Sequence, residues 1–106
     1  MAAVRALVFA AMASVLTTGG SAQTPGPPQQ YTVQADGHPI AVWCRSAQVP
    51  RAVVLLIHGR TWSSLPDFDL QVPGLQRSVM VALAARGIAA CAVDLRGYGA
   101  TPRDPS

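Results

Sequence analysis

The chain has 106 residues, 50% of them hydrophobic, and a net charge of +3 from arginine and aspartate alone, with no lysine and no glutamate. That length allows one domain at most. The arginines are scattered, without a basic face or interleaved aromatics, so the positive balance is not the footprint of nucleic-acid binding and no nucleic-acid partner is expected.

Residues 1–22 read as a secretory signal peptide. Arg5 supplies the positive charge, Ala6 to Leu16 the apolar core, and Gly20-Ser21-Ala22 the small residues of a cleavage site. The apolar run is shorter than the about 18 residues that a membrane span needs, so no stable membrane anchor is expected. Export to the periplasm or the exterior follows, and cleavage leaves 84 residues. Residues 23–30, QTPGPPQQ, are a proline-rich polar linker whose prolines favour extended, solvated backbone.

Residues 31–106 form the folded part. Tyr31 to Ala35 alternates apolar and polar residues, the pattern of a half-buried strand. Asp36-Gly37 is a two-residue hairpin signal, because both central positions of the favoured turn need positive φ. His38 is expected as a solvated hairpin residue, and Ile40 to Arg45 as the returning strand, with Pro39 at its start. A loop over Ser46–Arg51 precedes Ala52–Ile57, a short, strongly apolar run that stops at His58-Gly59. That pattern predicts a strand buried on both faces, as in a parallel sheet.

Gly59 to Pro73 reads as one long irregular loop, with Asp67 and Asp69 on a solvated face. Loops of that length tend to be functional or mobile. Leu75, Val79, Ala82 and Leu83 recur at helical spacing and predict a helix over Gly74–Arg86, or a shorter one capped by Ser78. Arg86 and Gly87 supply a favourable C-terminus. Ile88 to Val93 is a second apolar strand ending in Asp94, followed by the turn Arg96-Gly97-Tyr98-Gly99. A strand–helix–strand crossover of this kind makes parallel strands, so the loops after Ile57 and Val93 should open on one side of the sheet.

Cys44 and Cys91 both fall in predicted strands. Two unpaired core thiols are the favoured reading. The alternative is a disulfide, permitted by export and worth about 4 kcal/mol through the loop it would close. Neither cysteine has a partner at ligand spacing, so no metal is expected.

A hairpin, a strand into His58-Gly59-Arg60, a helix, and a strand into Asp94-Leu95-Arg96-Gly97-Tyr98-Gly99 resembles the start of the α/β-hydrolase family. The fold class implied is α/β: the N-terminal part of an α/β-hydrolase sheet, a β-hairpin followed by a parallel strand–helix–strand unit, and incomplete. By the resemblance, His58 and Gly59 shape the oxyanion loop and the backbone N–H of Arg60 is an oxyanion donor. Fixed N–H donors stabilise the charge that acyl transfer puts on a carbonyl oxygen. The family places its base histidine later in the chain, so His58 is assigned to holding the turn through its imidazole. Asp94 is structural in such loops, accepting N–H bonds around the glycine turn, and Arg96, Gly97 and Gly99 support it. Trp62 is a substrate-lining candidate. Phe68 either lines the pocket or anchors the loop on the core.

The nucleophile elbow G-x-S-x-G does not appear, nor do the later acid and base. The reading is therefore the first third of a hydrolase acting on a small-molecule ester or amide through a serine beyond Ser106, without a cofactor, and inactive as this fragment. A central strand left with one bare edge predicts poor solubility or partial order. The alternatives are an epoxide hydrolase or dehalogenase type with an aspartate nucleophile, or a non-catalytic secreted remnant or binding protein. A dinucleotide site is disfavoured, because Pro102 stands where the third glycine after Gly97 and Gly99 belongs.

Overall fold

The computed structural model describes residues 26–105, so the signal peptide assigned to residues 1–22 lies outside the described residues. The element order is β1 (Gln29–Ala35), β2 (His38–Arg45), β3 (Ala52–Ile57), α1 (Ser64–Phe68), β4 (Gln71–Val72), β5 (Leu75–Gln76), α2 (Val79–Ala85) and β6 (Ile88–Val93). Four strands form one sheet in the order β1-β2-β6-β3, and β4 and β5 make a small separate hairpin.

β1 and β2 pair antiparallel through a two-residue turn in which Asp36 has φ 51° and Gly37 φ 76°. That is the double positive φ of the favoured hairpin turn. Both strands are longer than the alternation suggested: β1 begins at Gln29, inside the expected linker, and β2 takes in His38 and Pro39. Pro39 is tolerated because it faces Gln34 one pair beyond the turn-closing pair Ala35 and His38. In an antiparallel ladder alternate pairs leave their N–H groups pointing outward, and β6 reaches only Val42–Arg45.

β3 and β6 run parallel, with Ala52 opposite Ile88 and Ile57 opposite Val93. The chain makes the expected crossover between them, and of the two helix readings it forms the shorter one capped by Ser78, not Gly74–Arg86. Pro73-Gly74 turns a β-hairpin instead, Gly74 taking φ 74°. Helix begins only after Ser78, whose hydroxyl accepts the Val81 N–H. At its far end Gly87, at φ 76°, donates to the Ala84 carbonyl, closing the helix with the left-handed residue expected there. The buried face also differs from the predicted stripe: Met80 is fully buried while Val79 is exposed.

Met80 sits on Ala90 and Ala92 of β6, with Trp43, Leu56, Phe68 and Leu83 packed around them. Alanines on β6 let the helix approach closely, and burying Met80 contributes about 1.5–3 kcal/mol. Side chains alternate across a sheet, so this core occupies one face only. On the other, Val53, Leu55 and Ile57 are 69%, 60% and 60% exposed, as are Tyr31 and Val33 for about half their surface. This corrects the expectations of burial on both faces of Ala52–Ile57 and half-burial of Tyr31–Ala35. β3 lies at the sheet edge with a single strand neighbour, and no described element covers the second face.

Cys44 and Cys91 are direct cross-strand partners in the β2–β6 ladder and are joined by a disulfide. The favoured reading of two free thiols is therefore corrected. The hairpin signal and the apolar run placed each cysteine in a strand correctly, but only register reveals that they face each other. The long loop is not wholly irregular either: it holds α1 and β4. Asp69, expected on a solvated face, is 6% exposed and takes a two-pronged bond from Arg45, at 2.8 Å from both Nε and Nη2. Burial of that carboxylate is compensated by paired charge and by the Ser78 hydroxyl. His38 is likewise not free in solvent: its ring bonds the Pro102 carbonyl and faces Asp104.

Candidate active-site rim

Parallel pairing of β3 with β6 decides where the two motif turns go. Ile57 and Val93 are opposite each other, so His58-Gly59-Arg60 and Asp94–Gly99 leave the sheet at the same end. Three contacts then tie them together. The Leu95 N–H donates to His58 Nε2 at 3.0 Å. The Tyr98 hydroxyl donates to the Arg60 carbonyl at 2.8 Å. The His58 and Tyr98 rings lie with centroids 4.7 Å apart.

His58 is 4% exposed and both its ring nitrogens are engaged. Because Nε2 accepts, the proton lies on Nδ1, which donates to the Gly59 carbonyl at 2.7 Å. A ring locked this way has no free nitrogen for general-base work; it fastens the turn. Among the described residues the Arg60 N–H has no hydrogen-bond partner, and Gly59 and Arg60 are exposed. An unengaged amide next to a glycine, whose flank is open to any Cβ-sized group, is reachable from solvent.

Asp94 is 1% exposed and is held by three donors. These are the Trp43 indole N–H at 2.9 Å, the Ser64 N–H at 3.0 Å and the Ala100 N–H at 3.0 Å. Burial alone pushes its carboxyl upward, but the bonds from Ala100, Trp43 and Ser64 outweigh that and hold it below the usual aspartate range. A carboxylate with its oxygens occupied in this way ties α1, β2 and the glycine turn together. Gly97 and Gly99 have φ 81° and 49°, and a Cβ on Gly99 would be built into the Asp94 carboxylate. Arg96 pairs with Asp104 at 3.1 Å and also bonds the Ala35 carbonyl.

Trp62 is 62% exposed on the loop after Arg60. Of the two readings of Phe68, the structure shows the anchor, packed against the core. A shallow cavity of about 450 Å³ lies elsewhere, beside Arg45 and lined by Gln29, Cys44, Val81 and Ala85. Among the described residues no three His, Cys, Asp or Glu side chains gather as metal ligands.

Sequence reasoning missed Trp43, Ser64 and Thr101. The Thr101 hydroxyl accepts the Ala41 N–H and donates to the Asp94 carbonyl, continuing the β2–β6 ladder past the end of β6. No local pattern marks these positions, because Trp43 and Ser64 meet Asp94, and Thr101 meets Ala41, only across long stretches of chain. Tyr98 and Arg60 each lie in one of the two motifs, but the bond between them joins positions 38 apart and is set by the fold.

No family model matches the chain and no curated protein matches it. Solved structures do. A thioesterase domain from the curacin biosynthetic pathway is similar at 23% identity and TM-score 0.56, over 74% of this chain and 24% of that one. An epoxide hydrolase from Vigna radiata is 30% identical at TM-score 0.56, over 76% of this chain and 22% of the other. The chain thus spans about a quarter of the length of the structures it resembles.

Proposed function

This chain carries the N-terminal portion of an α/β-hydrolase fold, and from that premise we propose that the protein is a hydrolase of a small-molecule ester or amide. Its nucleophile is a serine beyond residue 106, and the Arg60 N–H is one donor of its oxyanion hole. The observation that carries this reading is the Arg60 amide, unengaged among the described residues, on a turn fastened to the end of the sheet where parallel strands deliver their loops. When a nucleophile adds to a carbonyl, the oxygen becomes an oxyanion. A donor already aimed at that position stabilises it without reorganising, and removing one such donor costs about 10²–10³ in rate. Trp62, Ile57 and Leu95 are exposed near this turn and suit an apolar group on the substrate.

An aspartate nucleophile is the second reading, favoured by the 30% identity to an epoxide hydrolase. Reading the coding frame past Ser106 separates the two. A G-x-S-x-G elbow about 40–60 residues on supports the serine, an aspartate at its centre supports the alternative, and the absence of any elbow sinks both. Export through the signal peptide at residues 1–22 belongs to the same proposal, and the Cys44–Cys91 disulfide supports it, since such bonds persist in oxidising compartments.

A further inference from the structure

We propose that Tyr98 is a positioning residue for the Arg60 amide, acting as the second of two side-chain anchors on consecutive peptide planes of the oxyanion turn. The proposal rests on the reading of Arg60 as an oxyanion donor. A peptide unit is planar and trans, so its N–H points opposite to its own carbonyl. The Arg60 N–H shares a plane with the Gly59 carbonyl, and that oxygen is held by His58 Nδ1–H at 2.7 Å. The following plane carries the Arg60 carbonyl, which is held by the Tyr98 hydroxyl at 2.8 Å. One anchor leaves the turn free to pivot about the bonds of Arg60. Two anchors, one on each plane, fix the direction in which the N–H points.

Nothing else in the vicinity does this. From Gly59 to Trp62 no backbone group joins a backbone hydrogen bond outside the regular elements among the described residues, and these residues are exposed. Tyr98, in contrast, is well supported. Its N–H donates to the Leu95 carbonyl and its own carbonyl accepts from Thr101, both at 2.9 Å. Its ring rests against His58, which is itself oriented by the Leu95 N–H. The ordering entropy of the hydroxyl is thus already spent before substrate arrives, which is what preorganisation requires.

The test is Tyr98→Phe, which keeps the ring on His58 and removes only the hydroxyl. In the 106-residue chain, amide resonances of Arg60 and Thr61 should shift and broaden while those of Ile40–Cys44 stay in place. Unchanged Arg60 and Thr61 signals overturn the proposal. In the protein read through to its nucleophile, p-nitrophenyl acetate hydrolysis should lose about tenfold in kcat with KM within twofold, less than the loss of a whole donor. Equal kcat in both proteins, or a rise in KM alone, also overturns it. If that longer protein hydrolyses neither ester nor epoxide, the hydrolase reading fails, and the amide resonances of the chain still decide whether Tyr98 holds Arg60.

Discussion

Asp94 shows how one side chain can look catalytic and be structural. It sits at the end of β6 beside the His58 turn, yet its two oxygens accept from Trp43, Ser64 and Ala100. Asp94→Asn keeps the shape but turns an acceptor oxygen into an NH₂ facing N–H donors. The expected cost is about 2–4 kcal/mol of stability, measurable as a lower denaturant midpoint; an unchanged midpoint would mean the three bonds contribute nothing. Its carboxyl is held below the usual range in the folded state. It therefore contributes stability that is fully present above the ordinary aspartate pKa, about 3.9. That contribution is lost as pH falls through the lowered folded-state value. Wild type should lose this increment below about pH 4, while Asp94→Asn shows a flatter acid limb in the same titration.

At the scale of elements, β3 and the β2–β6 pair lead to separate outcomes. β3 presents six residues without a charge, with one strand neighbour, and with Val53, Leu55 and Ile57 exposed on the open face. Unpaired, apolar edges of this kind template intermolecular pairing. Light scattering of the chain should rise with concentration, and Leu55→Lys should suppress the rise. A monomer at every concentration with sharp cooperative unfolding would contradict this. The disulfide acts between β2 and β6, closing a loop with a sequence separation of 47. Reduction should lower stability by about 2–4 kcal/mol, and reductant should have no further effect on a Cys44→Ser, Cys91→Ser double variant. Identical melting curves with and without reductant would show that the ladder alone suffices.

For the molecule as a whole, the proposed activity needs groups that the described residues do not bring together. Among the described residues the His58 turn is fastened, the Arg60 amide is unengaged, and both histidine rings are held by other groups. The 106-residue chain is expected to hydrolyse p-nitrophenyl acetate no faster than an equal concentration of its Arg60→Pro variant, which lacks the N–H proposed as the donor. A rate difference between them would reveal catalysis by this segment alone. The sheet is covered on one side: α2 and α1 pack around Met80, Ala90 and Ala92, and among the described residues no element covers the other face.

Local chemistry was sufficient for what depends on neighbours in sequence. Asp36-Gly37 needed positive φ and has it, Gly87 ends α2, and two apolar runs became parallel strands that carry the His58 and Asp94 turns to one end. What depends on partners far along the chain was decided only by tertiary structure. The hairpin signal and an apolar run put Cys44 and Cys91 in strands, but the register of β2 on β6 made them a pair. Asp69 looked like a solvated loop residue until Arg45, 24 positions away, met it. Ala52–Ile57 was apolar enough for burial on both faces, yet burial is a property of what packs against a strand. In the described residues only one side of it has a neighbour.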